Sequence, residues 1–275
     1  MRSTKATTLT AASIDKFRSS CIARGHSQNT AKAYTTDLRM LLQHTGTESI
    51  PMDSFEMLAQ DWLNETRATA SPKTTGRRLT SLRAFARWAG WENELHEYRA
   101  PKPGRAMPHP IPERAEGLAR MVAAAHNPQH KALIGSCGYI GMRIGEALAF
   151  HTSWFDPHER TLRIRGKGDK ERIVPVSSEA WDIIEEAFIA AMMGDGYLIK
   201  MQDRSARKAI TSIGKRAGLS REVSSHDLRA TFATVLLEKG VNIRIVQELL
   251  GHTSVEQTIV YTGTEMRDMR DAVEF

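Results

Sequence analysis

The sequence predicts a mainly helical protein with a small β-sheet, divided into two domains. Three observations lead there. Apolar residues recur at three- and four-residue spacing along most of the chain, the signature of helices with one buried face. A single stretch, TLRIRGKGDKERIVPV, alternates apolar and polar residues on both sides of Gly166-Lys167-Gly168-Asp169, as a β-hairpin does. Five of the ten prolines fall within residues 101 to 112, where missing amide donors and fixed φ angles prevent a helix or a central strand. This Pro-rich segment, 101–112, is read as a linker between an N-terminal domain, 1–100, and a C-terminal domain, 113–275.

The N-terminal domain reads as helices. In SQNTAKAYTTDLRMLLQHTG, Ser27 is a cap, Tyr34, Leu38, Leu41 and Leu42 follow at helical spacing, and Gly46 is a stop. A second helix is expected over 54–65, around Phe55, Leu58, Trp62 and Leu63. A third follows in SPKTTGRRLTSLRAFARWAGW. From Thr66 to Trp91 there is no Asp or Glu but there are six cations: Arg67, Lys73, Arg77, Arg78, Arg83 and Arg87. At about 100° per residue, Leu79, Leu82, Phe85, Ala86 and Ala89 share one arc, with Lys73, Arg77, Thr80, Arg83 and Arg87 opposite. Arg78 does not fit this division. Most charged helix faces are only solvated, but a face of one sign with no acid beside it suits a helix lying against phosphates.

After the linker, ERAEGLARMVAAA and HKALIGSCGYIGMRIGEALAF read as helices, followed by the hairpin. Further helices are expected at about 178–192, 205–217, 226–239 and 242–250.

Composition narrows the function classes. The first residues, MRSTKATTLTAAS, lack the apolar core of a signal peptide, and no run approaches a membrane span, so the cytoplasm is the expected location. Cys21 and Cys137 are the only two thiols, which argues against a disulfide framework and reads instead as two small buried hydrophobes. A net charge of +6 permits a polyanionic partner without demanding one. None of the ten histidines clusters with Cys or acids at metal-ligand spacing.

The polar residues set against the apolar faces carry the chemistry. Arg143 and Glu146 in GMRIGEALAF are three apart on one face, so the carboxylate is placed to hold the guanidinium. His226 and Arg229 in SHDLRATFATVLLEKG repeat that spacing. Lys167 sits at the hairpin tip, His252 follows Gly251, and Tyr261 comes nine residues later. Singly, each has an ordinary structural use as a surface pair, a capping group or a half-buried ring. Together they are three cations, two imidazoles and a phenol, a set suited to an anionic phosphoryl centre.

In this order the residues resemble the tyrosine recombinases, also called the phage integrase family, over nearly the whole chain. Arg143 in GMRIGEAL resembles the first family arginine and Glu146 its acidic support. Lys167 matches the hairpin lysine, His226 and Arg229 the His-x-x-Arg box, His252 the second histidine and Tyr261 the nucleophile. Upstream, NTAKAYTTDLRMLL resembles the helical, SAM-like core-binding domain of these enzymes. The resemblance implies a catalytic set of Arg143, Lys167, His226, Arg229, His252 and Tyr261, with Glu146 in support. Tyr261 would form a 3′-phosphotyrosyl bond that stores the phosphodiester energy for rejoining. Arg143, Arg229 and His252 would stabilise the charge on the non-bridging oxygens, and no cofactor or metal is then required. His226 would assist at the phenol, whose ordinary pKa near 10 makes it a poor nucleophile at pH 7. Lys167 would protonate the departing 5′ oxygen; Lys170 is its rival, and only the family resemblance favours Lys167.

Further expectations follow from the resemblance. With about ten residues before the core-binding helices, the chain resembles compact two-domain members, either a simple phage or mobile-element integrase or a Xer-like resolvase. Its partners would be double-stranded DNA recombination sites clamped by both domains, with Lys73, Arg77, Arg83 and Arg87 on phosphates, and an accessory directionality factor. A stripe of Met266, Met269 and Val273 would dock the tail on a neighbour, giving a homotetramer on paired sites in the cytoplasm of a prokaryotic cell or phage-infected host, in association with the nucleoid. A type IB topoisomerase and a non-catalytic DNA-binding protein are the alternatives.

Overall fold

The computed structural model describes residues 6–91, 95–102, 109–166 and 171–251. The chain divides into two compact units, Met1–Ala106 and Met107–Phe275. Both are mostly helical, and among the described residues no helix is long and apolar enough to cross a membrane.

The first unit opens with a strand the helical periodicity did not announce. Strand β1 (Thr8–Thr10) pairs antiparallel with β2 (Ser49–Pro51), placing Leu9 opposite Ile50, both fully buried. Four helices complete the unit: α1 (Ala11–Ala23), α2 (Gln28–Thr45), α3 (Met52–Thr69) and α4 (Pro72–Ala89). Ser27 caps α2 by accepting from the Thr30 amide at 3.2 Å, and Gly46 ends it in the left-handed region at φ 65°. Helix α3 is longer at both ends than the predicted 54–65. Ser71 caps α4, with Pro72 in the first turn, where a missing amide costs nothing. The inward arc of α4 is buried as its periodicity requires, and Phe85 meets Phe17 and Trp91 edge-on in the core.

In the second unit, α6 (Pro128–Gly138) lies at the centre, with every residue from Ala132 to Gly138 buried. Around it pack α5 (Arg114–Ala123), α7 (Ile144–Leu148), α8 (Ser178–Met192), α9 (Asp203–Arg216) and α10 (Ser225–Glu238). The single helix expected over HKALIGSCGYIGMRIGEALAF is two. Gly141 separates α6 from α7 at φ +74°, and a Cβ there would stand 2.5 Å from the Phe232 ring, so only glycine fits. The small sheet runs β3 (Phe155–Asp156), β4 (Thr161–Arg165), β5 (Glu171–Pro175), all antiparallel. Leu162 faces Val174 across it and Ile164 faces Arg172. The last described helix, α11 (Ile243–Leu250), ends on Gly251 at φ 62°.

Candidate active site

The break at Gly141 decides how Arg143 is presented. Arg143 is the N-cap of α7 rather than a mid-helix residue. Glu146, at the third position of the helix, reaches back to it twice: the Arg143 amide donates to Oε2 at 2.9 Å and the guanidinium Nη1 donates to Oε1 at 2.8 Å. The pairing expected from the sequence is present, with this geometry as its cause. Arg143 keeps 41% of its side chain exposed, while Glu146 keeps 6%.

Glu146 serves more than one arginine. Arg172 on β5 donates to both its oxygens, at 3.1 and 2.7 Å. Arg229 on α10, 4% exposed, stands 3.9 Å from Oε2. Burial would push the Glu146 carboxyl up, but the bonds from Arg172 and Arg143 outweigh it and hold the group down at about 2. Three guanidiniums against one carboxylate leave surplus positive charge, which suits an anion arriving from the exposed side of Arg143.

The same arginines grip the end of α11. Arg172 Nε donates to the Leu249 carbonyl at 2.9 Å, Arg229 Nη2 to the Leu250 carbonyl, and Arg143 Nη2 to the Gly251 carbonyl at 3.5 Å. Arg229 Nη1 also donates to the Gly141 carbonyl, tying α10 to the break that presents Arg143. His226 occupies the first turn of α10 and is exposed, so the amino end of that helix and an imidazole share one surface. The helix is held there by a capping box, Ser224 with Asp227, and Arg221 joins Asp227 at 3.1 Å.

Arg143, Glu146 and Arg229 are therefore brought together, and His226 lies on the helix that carries Arg229. Lys167, its rival Lys170, His252 and Tyr261, with the tail residues Met266, Met269 and Val273, lie outside the described residues. Arg172 was missed from sequence. Its signal was parity: it shares a strand face with Val174, whereas Ile173 between them is 61% exposed. Among the described residues no group of His, Cys, Asp and Glu could hold a metal ion. Both thiols are free and buried, and burial pushes that of Cys137 up to about 12.

The basic face of α4 needs correction. Its lack of acids is true only of its own stretch, because Asp37 of α2, fully buried, pairs with Arg77 and accepts from Ser81 Oγ at 2.6 Å. Arg83 is half-buried and donates to the carbonyls of Leu95 at 2.7 Å, His96 at 3.2 Å and Tyr98 at 2.8 Å. Both arginines thus do structural work, whereas Lys73 and Arg87 are exposed on the same helix. Arg78, which fitted neither arc, lies 4.6 Å over the Trp62 ring.

A guanidinium cluster is pinned by one buried carboxylate on a mainly helical unit, with His226 in the first turn of the helix that carries Arg229, and its surplus positive charge suits an anion. The phage integrase family model matches residues 114–267, and the model of the phage integrase N-terminal SAM-like domain matches residues 4–93. The chain belongs to this family, the tyrosine recombinases, which break and rejoin DNA. It is 27% identical to tyrosine recombinase XerC of Mycobacterium leprae (strain TN) over 94% of this chain and 96% of that protein. It is 31% identical to XerC of Agrobacterium fabrum, covering 86% and 84%. Its fold is that of the XerH site-specific recombinase seen bound to a palindromic difH substrate in a post-cleavage complex. That match has a TM-score of 0.70 and 22% identity, and covers 95% of this chain and 84% of that one.

Proposed function

We propose that this recombinase exchanges DNA strands at specific sites through a 3′-phosphotyrosyl bond to Tyr261, and that it integrates and excises a phage or mobile element. The observation that carries the reading is the Glu146 cluster, which prepays the cost of bringing like-charged guanidiniums to one phosphate. In this reading residues 1–100 form the core-binding domain and 113–275 the catalytic domain, joined by 101–112. The Tyr261 oxygen attacks phosphorus, the bond to the 5′ oxygen breaks, and Lys167 supplies the proton that the departing oxygen takes. Arg143, Arg229 and His252 carry the added negative charge of the pentavalent state, and His226 takes up the phenol proton. Reversal by a second 5′ hydroxyl restores the phosphodiester and frees Tyr261, so neither ATP nor a metal enters the balance.

The full-length likeness to Xer recombinases favours a second reading of the biology, resolution of replicon multimers by the same chemistry. The tail carries the assembly proposal: Met266, Met269 and Val273 of one protomer dock on its neighbour to build a homotetramer on paired sites, with an accessory directionality factor choosing the outcome. An apolar groove of about 380 Å³ in the catalytic unit, lined by Leu118, Tyr139, Val176, Phe232 and Leu236, suits such a stripe. The substrate would be DNA of the cytoplasm and nucleoid.

The test is capture. Protein is incubated with fragmented genomic DNA of the source organism in EDTA, covalently held fragments are recovered under denaturing conditions, and their ends are sequenced. The reading expects one or a few recurrent sites, and two plasmid copies of such a site should recombine without ATP. Sites at the borders of a mobile element support integration, and one site per replicon supports resolution. Adducts scattered over the fragments with no recurrent site, together with relaxation of any supercoiled plasmid, would instead support a topoisomerase.

A further inference from the structure

We propose that Arg172 is a positioning residue for strand cleavage, acting through Glu146 and the carboxyl end of α11 to fix Arg143 and the turn that precedes His252. The inference rests on the reading above. One planar guanidinium joins three elements here: its two Nη atoms meet the two oxygens of Glu146 on α7 at 3.1 and 2.7 Å, and its Nε meets the Leu249 carbonyl at 2.9 Å from β5. The last carbonyls of a helix have no partners within it, and a helix carboxyl end favours a cation. At α11 three consecutive carbonyls, Leu249, Leu250 and Gly251, each accept from a different member of the trio Arg172, Arg229 and Arg143. Those same three guanidiniums surround Glu146. The carboxylate and the helix end are thus fixed against each other through shared donors.

Within the trio the division of labour follows exposure. Arg143 is 41% exposed and faces an incoming anion, whereas Arg172 is 10% exposed and has its fork occupied by Glu146 and Leu249. Gly251 permits the approach: it lies at φ +62°, and a Cβ there would come 2.9 Å from Arg172 Cδ. Lysine cannot replace this group, because a single ammonium lacks the rigid fork that spans a carboxylate. Among the described residues, the Cys137 thiol of α6 also interacts electrostatically with Glu146, and burial keeps it neutral at ordinary pH.

The experiment uses the full chain and a nicked suicide substrate built on a captured site, measuring DNA affinity and the single-turnover cleavage rate at saturating protein. Arg172→Gln should lower that rate at least about tenfold while Kd stays within about threefold, as expected when a reacting group is misplaced by a fraction of an ångström. In a Glu146→Gln background the same substitution should cost less than about threefold, because the two act as one unit. Arg172→Lys should fall between Arg172→Gln and wild type. Equal losses in both backgrounds, or cleavage by Arg172→Gln at the wild-type rate, would overturn the proposal. Hydrogen exchange supplies a readout without DNA: amides of 246–251 should exchange at least about tenfold faster in Arg172→Gln and Arg172→Lys, with α6 and α8 unchanged. Unchanged protection of 246–251 also overturns it. Should Arg172→Gln fail to fold, Arg172→Lys carries both readouts. If wild type forms no adduct on any DNA, the recombinase reading fails, and hydrogen exchange still decides whether Arg172 holds the helix end.

Discussion

Glu146 is a carboxylate kept charged in a nearly closed site by the arginines it organises. Its carboxyl is held at about 2 against an ordinary 4.5. A depressed folded-state value means that the stabilisation is fully present above pH 4.5 and is lost as pH falls towards 2, and a shift of this size is worth about 3 kcal/mol. Glu146→Gln should therefore destabilise the catalytic unit by about 3 kcal/mol at pH 7, with the gap to wild type closing between pH 4.5 and 2. Chemical denaturation over that pH range is the check; a gap independent of pH would show that the carboxylate is not held as described. The leaving-group acid is a separate question, since Lys167 and Lys170 both fall in the short sequence that joins β4 to β5. An alkoxide needs a proton to leave and a thiolate does not. Lys167→Ala should cleave ordinary DNA poorly and recover when the 5′ bridging oxygen is sulfur, while Lys170→Ala behaves as wild type on both. Rescue of Lys170→Ala instead would transfer the acid to that residue.

Among the elements, helices with one apolar face and a clear cap were legible: Ser27 and Gly46 bound α2, and the buried arc of α4 follows its periodicity. What was not legible depends on partners distant in sequence. Nothing near Arg77 announces Asp37, forty residues upstream, and nothing in GMRIGEAL states that Phe232 leaves no room for a Cβ at Gly141. Arg172 was hidden because a charged residue in an alternating strand is ordinarily taken to face solvent, and only the burial of Leu162, Ile164 and Val174 reveals the inward face. Spacing singled out Arg143 with Glu146 and His226 with Arg229, and the family resemblance suggested their roles, but neither revealed that one carboxylate unites three arginines. These partners separate two effects on α4. Lys73→Gln with Arg87→Gln should flatten the dependence of DNA affinity on log salt by about 1.8, near 0.9 per phosphate contact, with unchanged Tm. Arg77→Ala should in addition destabilise the first unit by about 1–3 kcal/mol by leaving Asp37 buried without its cation, less than for a fully enclosed pair because Arg77 is 43% exposed. An unchanged salt slope in the Lys73 and Arg87 variant would remove α4 from the DNA-contacting surface.

For the whole molecule, the proposed strand exchange calls for a second protomer, because the covalent bond is to be reversed by the 5′ hydroxyl of a second cleaved strand. Truncation after Gly263 should leave cleavage of one site intact and abolish synapsis of two, read by sizing the protein–DNA complex; tetramers that persist would place the assembly contact elsewhere. Everything else depends on Tyr261 joining to DNA. The most direct measurement is mass spectrometry of the peptide containing Tyr261, after wild-type protein is trapped on a nicked suicide substrate in EDTA and digested with protease and nuclease. The proposed phosphotyrosyl mechanism predicts a nucleotide attached to Tyr261 through a 3′ phosphate, a free 5′ hydroxyl on the other product, and no adduct from Tyr261→Phe. An adduct that persists in Tyr261→Phe, or one joined through a 5′ phosphate, would contradict it.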